Sequence, residues 1–121
     1  MLRQIQAAAG SQRVVVADLP LRQLLALCEL AHSMISVDTG PAHAAAALGL
    51  PLVVMYGAES QARWLPRSPS GSPVIGIGGP PKSTRVDQIP VKDVFNTWCA
   101  LLTMVKPSEA PASPTLSCEP I

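Results

Sequence analysis

Aromatic side chains are scarce, because Phe, Tyr and Trp together make up only 3% of the 121 residues. The core must therefore come from the aliphatic residues among the 48% that are hydrophobic. Charged residues are also few, at 14%, which excludes a disordered chain, since such chains are rich in charge and poor in apolar residues. The length suits one domain, and the composition is typical of a parallel α/β sheet buried on both faces.

An excess of charge of either sign is also missing. Nine Lys or Arg residues against eight Asp or Glu give a net charge of +1. No broad basic surface can then attract nucleic acid, so we expect no nucleic-acid partner. A phosphate site in this chain must be local, built from backbone amides or from one or two side chains.

Segments that would direct the chain into a membrane are absent as well. The N-terminus lacks the apolar core of a signal peptide. The longest apolar run, residues 42–56, is broken by Gly49 and Pro51 and is too short for a membrane span. The three cysteines include no C-x-x-C pair, which predicts free thiols rather than a disulfide framework or a zinc site. These absences predict a cytoplasmic protein.

Strand and helix patterns alternate along most of the chain. Apolar, β-branched runs predict four strands, at Arg13–Asp18, Met34–Asp38, Leu52–Tyr56 and Val74–Ile77. Helical spacing predicts helices over residues 2–9, 21–31, 41–48 and 91–104. Such βαβ units predict a Rossmann-like α/β fold with a parallel sheet, whose ligands bind at the carboxyl edge of the strands. Residues 106–121, rich in Pro and Ser, are predicted to be a disordered tail.

One strand-to-helix segment, SVDTGPAHAAAALGL, combines the features of an anion site. The strand brings Asp38 to the ligand edge, where its carboxylate can accept hydrogen bonds from sugar hydroxyls. Gly40 has no Cβ, so a ligand can approach the backbone closely. Pro41 begins a helix whose free N–H groups and positive dipole end attract an anion. Thr39 adds a hydroxyl donor, and His43 lies in the first helical turn.

A purely structural explanation is also open at this point, because Asp38 or Thr39 could simply cap the helix. Beyond the next strand, Gly57 and Arg63 are further candidates at the same edge, Arg63 as a contact for a phosphate or an acceptor sugar. The alternative for Arg63 is a loop anchored by Trp64.

A second glycine-rich segment, GIGG at residues 76–79, is followed by two prolines instead of a helix. It therefore fails the context that a dinucleotide-binding fingerprint requires, and it predicts a strand end and a turn. Lys82 and Arg85 follow in the next loop, where they could bind an anionic acceptor or simply be solvated. No triad and no pair of catalytic carboxylates follows from the spacing.

The motif DTGPAH, followed by AAAALG and a proline-initiated strand ending in Gly57, resembles the D-T-G-P-x-H-x-A-A-A-L-G-x-P signature of the heptosyltransferases, glycosyltransferase family 9. The flanking residues 21–33, 59–66 and 86–102 are similar to the family's preceding helix, following loop and closing helix. The resemblance covers roughly residues 13–105. It implies that residues 1–105 form an incomplete C-terminal domain of a GT-B glycosyltransferase. The catalytic carboxylate would lie in an N-terminal domain that this chain does not contain.

The resemblance also implies an activity: inverting, metal-independent transfer of a sugar, of the ADP-heptose type, to a lipopolysaccharide core, without a cofactor. A nucleotide-sugar donor and a saccharide acceptor are the implied partners, and the full enzyme could associate peripherally with the inner membrane. In the family, the positions matching Asp38, Thr39, Gly40 and His43 hold the donor. Two alternatives stay open, namely a protein-modifying glycosyltransferase of related GT-B fold and a non-catalytic, nucleotide-binding remnant.

Overall fold

A computed structural model describes residues 2–10 and 14–105. The elements are α1 (Leu2–Ala9), α2 (Leu21–Leu30), β1 (Met34–Val37), α3 (Gly40–Ala47), β2 (Leu52–Tyr56), α4 (Gln61–Trp64), β3 (Val74–Gly78) and α5 (Val91–Met104), with a 3-10 turn at Val86–Gln88. The predicted tail, residues 106–121, lies outside the described residues. The four predicted helices and three of the four predicted strands are present within one or two residues of their expected bounds.

The boundaries of α3 follow from local backbone chemistry. Pro41 occupies the first helical turn, where its missing N–H breaks no helical bond and its fixed φ suits the helix. Gly49 ends the element at a φ of +83°, which only glycine adopts readily. The strand β2 can therefore start immediately after this turn, and β1, α3 and β2 form a compact βαβ unit.

The described strands form a parallel sheet in the order β1-β2-β3. Both of its faces are covered, because Val53 and Val54 are fully buried although neighbouring side chains point to opposite faces of a strand. Helix α3 covers the Val54 face. Helix α5, whose Leu101 is fully buried, packs against β2 and β3 and covers the other face. This is the Rossmann-like arrangement that the sequence predicts.

Small side chains hold α3 close to the sheet. Ala42 and Ala46 are fully buried against Leu52, Val54 and Tyr56 of β2. A helix that contacts a sheet through alanine lies nearer to it than one that carries larger residues, so the first turn of α3 is fixed close to the strand ends. The core thus sets the position of the β1–α3 turn.

The prediction of a first strand at Arg13–Asp18 is wrong for the described residues of that segment. Residues 14–20 form no regular element, and Val15 is 79% exposed. The sequence prediction rested on the β-branched run, which favours an extended backbone, but a strand also needs a neighbouring strand to hydrogen-bond and a face to bury. Among the described residues this segment has no partner strand, although Val14 and Val16 are half-buried. The Gln6 side-chain amide donates a hydrogen bond to the Val14 carbonyl oxygen, at 2.9 Å, which is not a strand pairing.

Two further sequence predictions concern the thiols and the membrane. Cys28 is buried and free, as expected. Cys99 is disulfide-bonded, so the prediction of free thiols is wrong for that residue. Among the helices of the described part of the chain, none has both the length and the apolar character needed to cross a membrane.

Candidate functional site

The carboxyl ends of the three strands meet at one edge of the sheet. Val37 of β1 is paired with Met55 of β2, and the next residue of β2, Tyr56, is paired with Gly78 of β3. One step past Val37, the chain therefore places Asp38 beside Tyr56. Ser36 and Val54 are also paired, so the alternation of side chains puts Asp38 and Tyr56 on the face that α3 covers.

Asp38 and His43 come together across the β1–α3 turn. His43 Nε2 lies 3.7 Å from Asp38 Oδ1, with the His43 side chain 46% exposed and that of Asp38 19% exposed. At this distance the two groups form an ion pair when the imidazole is protonated, rather than a short hydrogen bond. The histidine therefore has an exposed edge and can turn its N–H toward a ligand beside the helix.

The backbone of the same turn presents an open helix N-terminus. The Thr39 carbonyl oxygen accepts bonds from the N–H groups of Ala42, at 3.1 Å, and His43, at 3.4 Å. Within residues 2–10 and 14–105, the Gly40 N–H has no hydrogen-bond partner. A Cβ added at Gly40 would meet nothing within 4 Å. Gly40 is exposed, so a ligand can approach the backbone at this residue closely.

Capping does not account for Asp38 and Thr39. Thr39 occupies the N-cap position of α3, but no side chain forms a capping hydrogen bond there. Its hydroxyl instead donates to the carbonyl oxygen of Val37, at 3.3 Å. A threonine that stabilised the helix by capping would accept from an N–H of the first turn. The purely structural explanation of this turn thus lacks the bond that it requires.

Sequence reasoning missed Tyr56. Its side chain is fully buried, and its hydroxyl has no hydrogen-bond partner among the described residues. Burial, and secondly the negative charge of Asp38, raise the pKa of Tyr56 to about 12. The signal in the sequence was a single polar tip at the end of an otherwise apolar strand, LVVMY, at the edge where ligands bind.

The raised pKa of Tyr56 gives a direct prediction, because the chain has one tyrosine. Tyrosinate absorbance at 295 nm should titrate with a pKa of about 12 in the folded chain, against 10.0 for an ordinary tyrosine. The folded state holds the proton more tightly, so stability is complete below pH 10 and decreases as the pH rises from there toward 12. The loss is on the order of 2 kcal/mol. Denaturant titrations at pH 9 and 11.5 measure it, and an unshifted absorbance curve would contradict the burial of the hydroxyl.

The two further candidates, Gly57 and Arg63, lie outside the β1–α3 turn, and each has packing partners of its own. A Cβ at Gly57 would contact the backbone of residues 84–86, at 3.5 to 3.6 Å, so this glycine packs against a loop. The Arg63 guanidinium lies over the ring of Trp64, 5.1 Å from its centroid. The Trp64 indole N–H in turn donates to Glu59, at 3.0 Å. These contacts describe a loop anchored by Trp64.

A cavity of about 580 Å³ lies beside β3. We call it the β3 cavity; its lining includes Gly78, Gly79, Lys82, Ser83 and Asp93. The Gln61 amide donates to the Gly78 carbonyl oxygen at 2.6 Å, and the Gly79 N–H donates to the Ser83 hydroxyl at 2.9 Å. The glycine-rich segment is thus a strand end and a turn, as predicted. Neither member of the Asp38–His43 pair lines this cavity.

Metal ligation has no obvious candidate in the described part of the chain, where no three His, Cys, Asp or Glu side chains converge. The groups that can meet a ligand at the β1–α3 turn are the Gly40 N–H, the Thr39 hydroxyl, the His43 imidazole and the Asp38 carboxylate. Three of them can donate hydrogen bonds and one accepts. Such a set fits a ligand that carries both an anion and hydroxyl groups.

Comparison with known proteins agrees with the motif. No curated protein and no solved structure matches the chain. The family comparison matches residues 2–92 to glycosyltransferase family 9 (heptosyltransferase). This match includes every element from α1 to β3 together with the β1–α3 turn. The chain therefore belongs to glycosyltransferase family 9.

Proposed function

We propose that the chain binds the diphosphate of a nucleotide sugar at the N-terminus of α3. The observation that carries this proposal is the convergence of Asp38, Gly40 and His43 on one open turn at the carboxyl edge of the sheet. The family implies a sugar donor and an acceptor. We take the donor to be of the ADP-heptose type and the acceptor to be a lipopolysaccharide core.

Each group has a role that its chemistry supports. The free Gly40 N–H and the positive end of the α3 dipole attract a phosphate oxygen. The His43 ring N–H donates to another oxygen of the diphosphate, and the Thr39 hydroxyl does so after it releases the Val37 carbonyl oxygen. Asp38 repels a phosphate, so it accepts hydrogen bonds from hydroxyl groups of the donor sugar. Pro41 keeps the turn in place without an N–H of its own.

The same contacts favour departure of the nucleoside diphosphate. When the bond between sugar and phosphate breaks, negative charge grows on the leaving phosphate oxygen. Donors already aimed at that oxygen stabilise the charge without reorganising, and this is how preorganised electrostatic groups accelerate group transfer. The net charge of +1 makes such local donors necessary, because the chain has no broad positive field. We propose that the carboxylate which activates the acceptor, in an inverting reaction, belongs to another domain.

Gly40→Ala tests the position of the donor. The glycine has no positive φ, and a Cβ there meets nothing within 4 Å, so we expect the free energy of unfolding to be unchanged or slightly raised. The methyl group would occupy the space beside the free N–H and weaken binding of ADP-heptose about tenfold, measured by isothermal titration calorimetry. Equal affinity of the variant and the wild type would place the diphosphate elsewhere. Inorganic pyrophosphate, tested in parallel, separates diphosphate binding from sugar recognition.

A further inference from the structure

The position of the Tyr56 hydroxyl lowers the stability of the fold. It belongs to a fully buried side chain and lacks a hydrogen-bond partner among the described residues. Burying a hydroxyl without a partner destabilises a fold, whereas phenylalanine would fill the same volume without that cost. A buried polar group of this kind needs an explanation in terms of strain, an ion, water or function.

The groups around Tyr56 indicate which partner its hydroxyl can reach. Its ring packs on Ala42 and Ala46 of α3 and on Val54 of its own strand, which are apolar. Asp38 stands one residue beyond the last paired residues of β1 and β2, beside Tyr56, and its negative charge contributes to the raised pKa of the tyrosine. The Tyr56 side chain is thus buried on the face of the sheet that carries Asp38, while the His43 side chain is 46% exposed.

The charge balance around Asp38 changes when a ligand binds. In the structure, His43 is the group that faces the Asp38 carboxylate, at 3.7 Å. If His43 turns its N–H to a phosphate, the carboxylate loses this neighbour and stands near an anion. A hydrogen-bond donor can then stabilise the carboxylate, and the neutral phenol hydroxyl of Tyr56 is such a donor.

We propose that Tyr56 is a positioning residue of the donor site, whose hydroxyl donates to the Asp38 carboxylate once the sugar nucleotide is bound. This inference rests on the proposed function. When the Tyr56 hydroxyl donates to it, the carboxylate keeps its other oxygen lone pairs directed at the sugar hydroxyls. The unpaired hydroxyl of the ligand-free structure is then a donor reserved for the bound state.

Tyr56→Phe is the test, made in the full chain. We expect the midpoint of urea unfolding to be unchanged or raised, because the variant removes only an unpaired buried hydroxyl. The affinity for ADP-heptose, measured by isothermal titration calorimetry, should fall about tenfold, which corresponds to one lost hydrogen bond to a charged group. A purely structural role would produce the opposite pattern, with lower stability and affinity retained.

A double-mutant cycle shows whether Tyr56 acts through Asp38. The effects of Tyr56→Phe and Asp38→Asn on affinity should not add, and Tyr56→Phe should cost little once Asp38 is replaced. Additive effects, or wild-type affinity of Tyr56→Phe, would overturn the inference but leave the donor site intact. If Asp38→Asn and His43→Ala also bind like the wild type, the proposed function itself fails. The tyrosinate absorbance of Asp38→Asn provides a second readout, since loss of the negative charge should lower the pKa of Tyr56 while the larger effect of burial remains.

Discussion

Replacing His43 with Ala, or Asp38 with Asn, is expected to lower the affinity for ADP-heptose by about 10- to 100-fold, the range for a lost hydrogen bond to a charged group. The two residues lose different contacts. His43→Ala removes a donor to the diphosphate, so pyrophosphate binding should weaken to a similar degree. Asp38→Asn removes an acceptor for sugar hydroxyls and also a negative charge, so pyrophosphate binding should hold or improve. Calorimetric titrations with both ligands distinguish these effects.

Matched controls are present in the same chain. The second histidine, His32, is exposed just after α2, on a different turn from His43. Asp18 is an exposed aspartate that precedes α2. His32→Ala and Asp18→Asn should therefore bind both ligands like the wild type. If the control variants lose as much affinity as the site variants, the effect is a general one of charge, and the assignment to the β1–α3 turn is wrong.

Gly78→Ala is the substitution for which we expect the largest loss of stability. Gly78 ends β3 at a φ of +76°, and an added Cβ would lie 2.5 Å from Ile89 Cδ1 and 2.7 Å from the backbone oxygen of Tyr56. The backbone oxygen cannot move without disturbing the β2–β3 pairing. Overlap with a packed neighbour, together with the left-handed conformation, should cost about 3 to 5 kcal/mol. Urea unfolding followed by tryptophan fluorescence measures the change.

Gly71→Ala separates the two causes. Gly71 has a closely similar φ of +78°, but an added Cβ would meet nothing within 4 Å. This variant should show only the conformational cost, about 1 to 2 kcal/mol. A similar loss in both variants would mean that the overlap at Gly78 relaxes freely. The difference between them measures how rigidly the end of β3 is held against β2 and the 3-10 turn.

The helices and the central strands were predictable because their signals are local. Proline in the first turn, glycine just after the last and apolar residues at helical spacing act over a few neighbouring residues, so α3 and α5 were expected close to their observed bounds. Residues 14–18 contain an equally clear β-branched run, which is typical of a strand, yet they form no strand. Extension is a local preference, but sheet membership requires a partner strand that the local sequence does not specify.

The site was predictable in part for the same reason. The motif DTGPAH names Asp38, Gly40 and His43, and the βαβ pattern brings them to the carboxyl edge of the sheet. Nothing in the sequence distinguishes Gly40, where an added Cβ would meet nothing, from Gly57, which packs against a loop. The stacking of Arg63 on Trp64 likewise depends on side-chain placement, for which the sequence offered two alternatives.

The amino-acid sequence alone determined the fold class, the parallel direction of the strands and the strand-to-helix turn that carries the candidate donor site. These depend on composition, periodicity and turn chemistry, which act between neighbours in the chain. Only the tertiary structure decided which strands pair, how close His43 comes to Asp38, and that Tyr56 buries its hydroxyl without a hydrogen-bond partner among the described residues. Such features depend on the register between strands and on the depth at which α3 packs, and both arise from contacts between residues far apart in the sequence.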